Sequence, residues 1–344
     1  MTHLPIIAIT MGDPASIGPE IAVKALKDKK IYEICRPLIA GDARVFEKII
    51  SELGLGVTIN RIQEPAEAAF KYGAIDVIDL ANVDISKLAY GKIDALCGEA
   101  SFRSVEKVIQ LALAGTVNAT VTGPINKKSI NDAGHHFAGH TEIYAELTGT
   151  KKYAMLLVED KINVIHVSTH VSLRQACDLV KKDRILEVIA LLRNGLISLG
   201  KTNLKIGVAG LNPHAGDNGL FGTEEALEIL PAIEAARSQG YDVEGPVPPD
   251  TLFAKAATGA YGGVVAMYHD QGHIPFKLAG FKWNAEKQQM ESVKGVNITM
   301  GLPIIRTSVD HGTAFEIAGK GIASPDAMVL AIESAVQLSN NKKV

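Results

Sequence analysis

Short β-branched runs that end in Gly, Pro or Asp alternate along this chain with longer stretches of helical periodicity. The runs IIAIT (6–10), PLIAG (37–41), AIDVIDL (74–80) and NATVTG (118–123) predict strands. So do AMLLVED (154–160), INVIHVST (162–169), LKIGVAG (204–210) and GVVAMYH (263–269). Helical patterns lie near 19–28, 43–53, 94–115, 141–148, 183–199, 223–239 and 324–339. Alternation of this kind builds α/β layers around a mostly parallel sheet. At 344 residues the chain exceeds one ordinary core and suits two domains. No repeat or low-complexity linker marks the join. Polar, glycine-containing stretches near 124–140 and 280–297 are the candidates. They give a first α/β domain from 1–130 plus 290–344, and a second from 131–289 that carries most of the candidate metal-site residues.

Composition narrows the function classes. Hydrophobic residues make up 47% and charged residues 21%, enough for a sizeable core. With a net charge of −3 and a pI near 6.4, neither a nucleic-acid nor a membrane-surface partner is expected. An anionic ligand must then be held by a local cluster of cations. Cys35, Cys97 and Cys177 are far apart and form no C-x-x-C, so they read as free thiols of a reducing compartment. The start, MTHLPIIAITMGDPAS, lacks the basic and long apolar regions of a secretory signal. No apolar run approaches the roughly 18–20 residues of a membrane-spanning helix. The expected location is cytoplasmic.

Three predicted strands run out into loops that bear a histidine: His170 after INVIHVST, His214 after LKIGVAGLNP and His269 after GVVAMY. Ligands of open α/β sheets lie outside the carboxyl ends of the strands, so three imidazoles could converge there on a divalent metal. The other reading is three loop histidines bonded to backbone. His166, inside its strand, reads as a core histidine. Anion-binding candidates are His140 and Thr141 at a helix start, Lys127 in TGPINKK, Lys277 beyond HDQGHIPF, and Asn297 and Arg306 flanking ITMGLPII. Each is otherwise a solvated surface group; together they suit a small substrate with two negative groups. No G-x-G-x-x-G follows the first strand, which argues against a Rossmann dinucleotide site. GDPASIGPE (12–20) is a tight βα turn with Pro19 at the first helical position, or else a ligand-binding turn. DHGTAFEIAGKGIASPDAM (310–328) is rich in small residues that permit close approach of a ligand to the backbone.

The segments MGDPASIGPE, VTGPINK, GHTE, STHVSLR, GLNPHAGDNGLFG, GPVPPDT, YHDQGHIPFK and GVNITMGLPIIRTSVDHGTAFEIAGKG occur in order from residue 11 to residue 321. They resemble those of the 4-hydroxythreonine-4-phosphate dehydrogenase family. The resemblance implies two α/β domains flanking a cleft, similar to isocitrate and isopropylmalate dehydrogenases and not a Rossmann fold. It implies metal ligands His170, His214 and His269, in a site shared between the subunits of a homodimer. It implies substrate contacts from His140, Thr141, Lys277, Asn297 and Arg306. HGTAFEIAGKGIASP resembles the NAD loop of isopropylmalate dehydrogenases, which points to Gly312, Thr313, Ala314 and Ile317 for the cofactor. The implied reaction is NAD-dependent oxidation of a secondary hydroxyl, then loss of carbon dioxide, assisted by one divalent metal: zinc, cobalt, manganese or magnesium. Asp270 and Asp250 are candidates for proton handling or for orienting a histidine, beside Lys277.

Two features bear on the substrate. His273 gives HDQGHIPFK, whereas members devoted to vitamin B6 synthesis more often show an HDQGLPVLK-like run. The HIP form resembles a paralogous branch that oxidises D-threonate or D-erythronate 4-phosphate to dihydroxyacetone phosphate. FKWNAEKQQMESVKGVN puts a polar stretch holding the single tryptophan, Trp283, before Asn297; a short lid helix is expected there. The alternatives are 4-hydroxy-L-threonine 4-phosphate as substrate, and a metal-dependent aldolase or isomerase of sugar phosphates without NAD. A two-domain solute-binding protein is opposed by the missing signal peptide.

Overall fold

The apolar run at 6–10 becomes a strand with four of five positions buried, and the same translation of pattern into structure recurs along the chain. The computed structural model describes residues 4–284, 289–293 and 295–341. In chain order the first strands are β1 (Ile6–Thr10), β2 (Arg36–Gly41), β3 (Thr58–Ile62), β4 (Ala74–Asp79) and β5 (Ala119–Thr122). Next come β6 (Ala154–Val158), β7 (Asn163–His166), β8 (Ile206–Ala209), β9 (Val243–Val247) and β10 (Gly263–Ala266). The last are β11 (Phe281–Asn284), β12 (Gln289–Val293), β13 (Val296–Met300) and β14 (Arg306–Val309).

The chain divides into two units, one of residues 1–150 and 302–340 and the other of 151–301 and 341–344. In the first unit the strand order is β3-β4-β2-β1-β5-β14, with every pairing parallel. Helices Gly18–Leu26, Ala43–Leu53 and Ala95–Leu113 connect and cover these strands, and Asp42 and Asp94 cap the latter two by accepting the N–H groups of Arg44 and Leu96. In the second unit the order is β13-β6-β7-β10-β8-β9; β7, β10, β8 and β9 are mutually parallel, and β6 runs against both neighbours. Each unit has its own core, around Leu38, Val105 and Tyr144 in one and Val164, Leu252 and Phe276 in the other. Among the described residues no helix is long and apolar enough to cross a membrane.

The fold corrects the sequence reading at several places. The joins lie at 150/151 and 301/302 rather than near 130 and 290, because 124–140 holds the helix Lys127–Asp132, which packs on Ala95–Leu113. Where a lid helix is expected, β11 and β12 pair antiparallel, and residues 285–288 and 294 of that stretch lie outside the described residues; FKWN alternates with the two-residue period of a strand. The loop expected after Tyr268 is the helix His269–Gly280, hidden in the sequence by Gly272 and Pro275. β3 and β9 escape the pattern because they are edge strands. An edge admits the exposed side chains of one and Pro246 within the other.

The helices Ala95–Leu113 and Lys127–Asp132 pack closely at Gly98, where an added Cβ would lie 2.0 Å from the Ser129 carbonyl oxygen. Gly98→Ala must therefore push the Lys127–Asp132 helix aside and is expected to cost about 1–3 kcal/mol of stability, read from urea unfolding.

Candidate active site

Parallel pairing brings the carboxyl ends of all six strands of the first unit to one edge. The chain leaves β1 toward β2, while β5 flanks β1 on the other side, so the crevice that an α/β sheet offers to ligands opens between β1 and β5. There the turn after β1 meets the loop after β5: Asp13 N–H donates to the Pro124 carbonyl at 2.8 Å, and Gly123 N–H to Thr10 Oγ1 at 3.0 Å. A Cβ on Gly12 would sit 2.6 Å from the Pro124 oxygen, which with its φ of +72° explains the glycine. Asp13 is fully buried, and burial pushes its carboxyl up to about 6.

Arg306 dominates this unit. It begins β14 opposite Thr120, and its side chain runs along the sheet face to donate to Thr122 Oγ1 at 2.9 Å. Its guanidinium lies 5.5 Å from the centre of the Tyr144 ring, and the residue is 2% exposed. Burial outweighs the favourable fields of Tyr144 and Glu142 and draws its pKa down to about 10. His140 and Thr141 open the helix His140–Leu147, whose first N–H groups have no intrahelical acceptor. His140 Nε2 is enclosed with no hydrogen-bond partner among the described residues. Burial, then the charges of Arg306 and Lys127, hold this imidazole well below its ordinary range, so it is neutral. Buried Arg306 and exposed Lys127 thus put positive charge beside neutral His140 and the helix start, a neighbourhood that suits an anion.

Along the loop 310–323, Ala314 has a φ of +43° and Phe315–Ile317 make a short 3₁₀ turn. Gly312 is exposed and nothing lies within 4 Å of its Cβ position, so a ligand has room against the backbone. That openness fits the dinucleotide expected on Gly312, Thr313, Ala314 and Ile317.

In the second unit, β7, β8 and β10 are parallel, and the segments after them carry His170, His214 and His269 on one edge. His170 and His269 lie 6.2 Å apart, ring centre to ring centre, across an open groove of about 530 Å³ lined by Thr169, Ser172, Gln175, Tyr268 and Asp270. His269 Nδ1 is 2.6 Å from Asp270 Oδ1, which leaves Nε2 facing outward as a possible metal donor. His214 is exposed, its ring 6.3 Å from that of Phe221. Among the described residues no three His, Cys, Asp or Glu side chains come together as a complete metal site. Imidazoles with a carboxylate beside one of them are donors of the kind that suit a divalent ion, and two of the three neighbour one another in this chain.

Lys277 is exposed on the helix of His269, two turns on. Asn297 lies in β13 with an enclosed Oδ1 that has no partner among the described residues. Asp250 is exposed in the first turn of the helix Pro249–Ala256, where it accepts the N–H of Thr251.

Three functional supports escaped the sequence reading. His273 stacks on His269 with ring centres 3.7 Å apart and 10° between planes, its Nδ1 3.1 Å from the His269 carbonyl. Their i, i+4 spacing would have suggested this had the segment been read as helix. Beneath lies His166, 4.7 Å from His273; a Cβ on Gly272 would stand 2.3 Å from His166 Nε2, so this glycine makes room for a ring rather than a turn. Burial pulls His166 down to about 3 and His273 to about 4, so both are neutral. Finally, His214 to Asn218 all have positive φ, a left-handed turn that non-glycine residues resist. Buried Glu225 holds it by accepting the N–H groups of Leu211 and Asn212 at 2.8 and 2.7 Å.

The family model described as "Pyridoxal phosphate biosynthetic protein PdxA" matches residues 33–335. The chain belongs to this family. It is 46% identical to the D-threonate 4-phosphate dehydrogenase of Pectobacterium atrosepticum, over 97% of this chain and 99% of that one. With the D-threonate 4-phosphate dehydrogenase of Cupriavidus necator it shares 45% identity, over 99% of both. The crystal structure of 4-hydroxythreonine-4-phosphate dehydrogenase from Klebsiella pneumoniae superposes with a TM-score of 0.83 at 43% identity, covering 97% of this chain and 99% of that one. The fold is therefore the two-unit α/β fold of the PdxA family.

Two outcomes follow from the positive pocket. Arg306→Met removes a costly buried charge, so the variant is expected to melt within a few degrees of the parent while sulfate affinity, measured by calorimetry, falls about 10–100-fold. His140 is held neutral when folded but takes a proton when unfolded. The stability it contributes is present above its ordinary pKa of about 6.5 and lost as pH falls below that value. Urea unfolding at pH 7.5 and 5.5 should show a smaller acid loss for His140→Asn than for the parent.

Proposed function

We propose that the chain catalyses NAD- and divalent-metal-dependent oxidative decarboxylation of a 4-phosphorylated 3-hydroxy acid, D-threonate 4-phosphate or D-erythronate 4-phosphate, to dihydroxyacetone phosphate and carbon dioxide. The observation that carries this reading is the buried Arg306 beside neutral His140 and Lys127, a pocket built for a phosphate or carboxylate. The named activities of the Pectobacterium and Cupriavidus relatives support the substrate class.

Arg306 brings a guanidinium charge, and Thr141 a hydroxyl beside open helix N–H groups, toward one anionic end of the substrate. In the second unit Asn297 offers its enclosed amide oxygen to a substrate hydroxyl, and exposed Lys277 supplies a cation for a second anionic group. His170, His214 and His269 would hold the divalent metal, zinc, cobalt, manganese or magnesium; when bound it supplies Lewis-acid stabilisation of charge developing on substrate oxygen. The 2.6 Å approach of Asp270 Oδ1 to His269 Nδ1 supports a role in orienting the ring, beside the proton-handling alternative. Asp250 remains a candidate for proton handling.

A second copy of the chain would complete the metal site in a homodimer. His170 and His214 are exposed, and the same segments expose large apolar side chains: Leu173, Leu220, Phe221, Ile274 and Leu278, the last 83% exposed. NAD would lie on Gly312–Ile317. The composition and free thiols support a cytoplasmic location.

A second reading is oxidation of 4-hydroxy-L-threonine 4-phosphate in pyridoxal phosphate synthesis, favoured by the named activity of the Klebsiella relative. The two substrates differ at C2, hydroxyl against ammonium. NADH formation from D-threonate, D-erythronate and 4-hydroxy-L-threonine 4-phosphates, with and without chelator, separates them. The hydroxy acids should be preferred, and chelator should lower turnover at least about a hundredfold. Activity confined to the amino acid would select the second reading. Carbon–carbon cleavage without NAD reduction would replace both with an aldolase.

A further inference from the structure

The turn GDPASIGPE lies at the mouth of the first unit, yet none of its side chains enters the chemistry proposed above. Its last residue, Glu20, sits in the first turn of the helix Gly18–Leu26 and is fully buried. One turn on, Lys24 donates to Glu20 Oε1 at 2.7 Å. The Lys24 ammonium also donates to the carbonyl oxygens of Gly321 and Ala323, each at 2.8 Å, so its three protons all have acceptors. Glu20 completes the pattern by accepting the N–H of Ala323 at 2.9 Å and of Gly321 at 3.3 Å. The pair therefore takes both the N–H and the C=O of residues 321 and 323, as a neighbouring strand would.

The loop it holds has an irregular shape, with one non-glycine residue at positive φ. Ala314, Gly319 and Gly321 have φ values of +43°, +73° and +72°. The N-terminal motif supports the other end as well: Ile17 N–H donates to the Thr313 carbonyl at 3.2 Å. Gly91, whose N–H donates to the Ala15 carbonyl, has a Cβ position 2.7 Å from the Phe315 oxygen, and that of Gly319 lies 2.5 Å from the Tyr90 ring. Conformations of this kind persist where surrounding structure over-determines them.

We infer that Glu20 and Lys24 are positioning residues for the dinucleotide: they fix the 310–323 loop in its binding shape before the cofactor arrives. The inference rests on the dehydrogenase reading for the cofactor's identity. The clamp touches only loop backbone, so it sets the fraction of molecules in the competent shape. Apparent affinity falls by that fraction when the clamp is lost.

Glu20→Gln and Lys24→Met should each raise the NAD dissociation constant, by fluorescence titration, and the KM for NAD about tenfold or more. KM for the phosphorylated acid, and kcat at saturating NAD, should stay within about twofold, a split that general destabilisation would not give. In the unsubstituted protein the amides of Gly321 and Ala323 should exchange hydrogen as slowly as those of β14; this decides the matter if a variant fails to fold. Folded variants that bind NAD within twofold of the parent, or free exchange at those two amides, would overturn the inference. A parent protein that binds no dinucleotide would sink the dehydrogenase reading and the cofactor half of the inference together, whereas slow exchange would still support the clamp.

Discussion

Parallel strands cannot be joined by tight turns, and in both units that constraint decides where the chemistry lies. Each strand must be followed by a crossover, so every strand of a parallel ladder delivers its carboxyl end to the same edge. In the first unit this edge gathers the GDPASIGPE turn, TGPINKK and the 310–323 loop, residues more than 300 positions apart in the extreme. In the second it gathers the three segments bearing His170, His214 and His269. Most of the side chains at these edges come from loops and helix starts, while β1, β8 and β10 behind them are mostly buried Ile, Val and Ala.

The electrostatics of the two edges differ. Arg306 is a permanent charge taken out of water, surrounded by a hydroxyl, an aromatic face and a histidine it helps to keep neutral. The histidine edge has the opposite character. Desolvation keeps His166 and His273, the two rings packed against His269, neutral.

Support for these groups is supplied by buried carboxylates that do not themselves face a ligand. Glu20 and Glu225 each accept two backbone N–H groups from a loop with positive φ values. A carboxylate offers two acceptor oxygens in a fixed plane, so one side chain can pin two amides of a turn that its own backbone geometry disfavours.

Much was legible in the residues alone. Alternation of apolar runs with helical periods determined the α/β class and eight of the strands, because burial imposes its period wherever an element has one covered face. The segments from MGDPASIGPE to AFEIAGKG determined the family. Helices interrupted by Gly and Pro were not legible, since Gly272 and Pro275 in His269–Gly280 signal a loop by every local rule. Edge strands β3 and β9 escaped because an edge relaxes the pattern. What only the tertiary structure decided is which of the candidate side chains share an environment. The stacking of His273 on His269, the neutrality of His140 beside Arg306 and the grip of Glu20 on residue 323 all arise from contacts set by packing. Desolvation depends on what surrounds a group in space, and neighbours along the chain do not specify it.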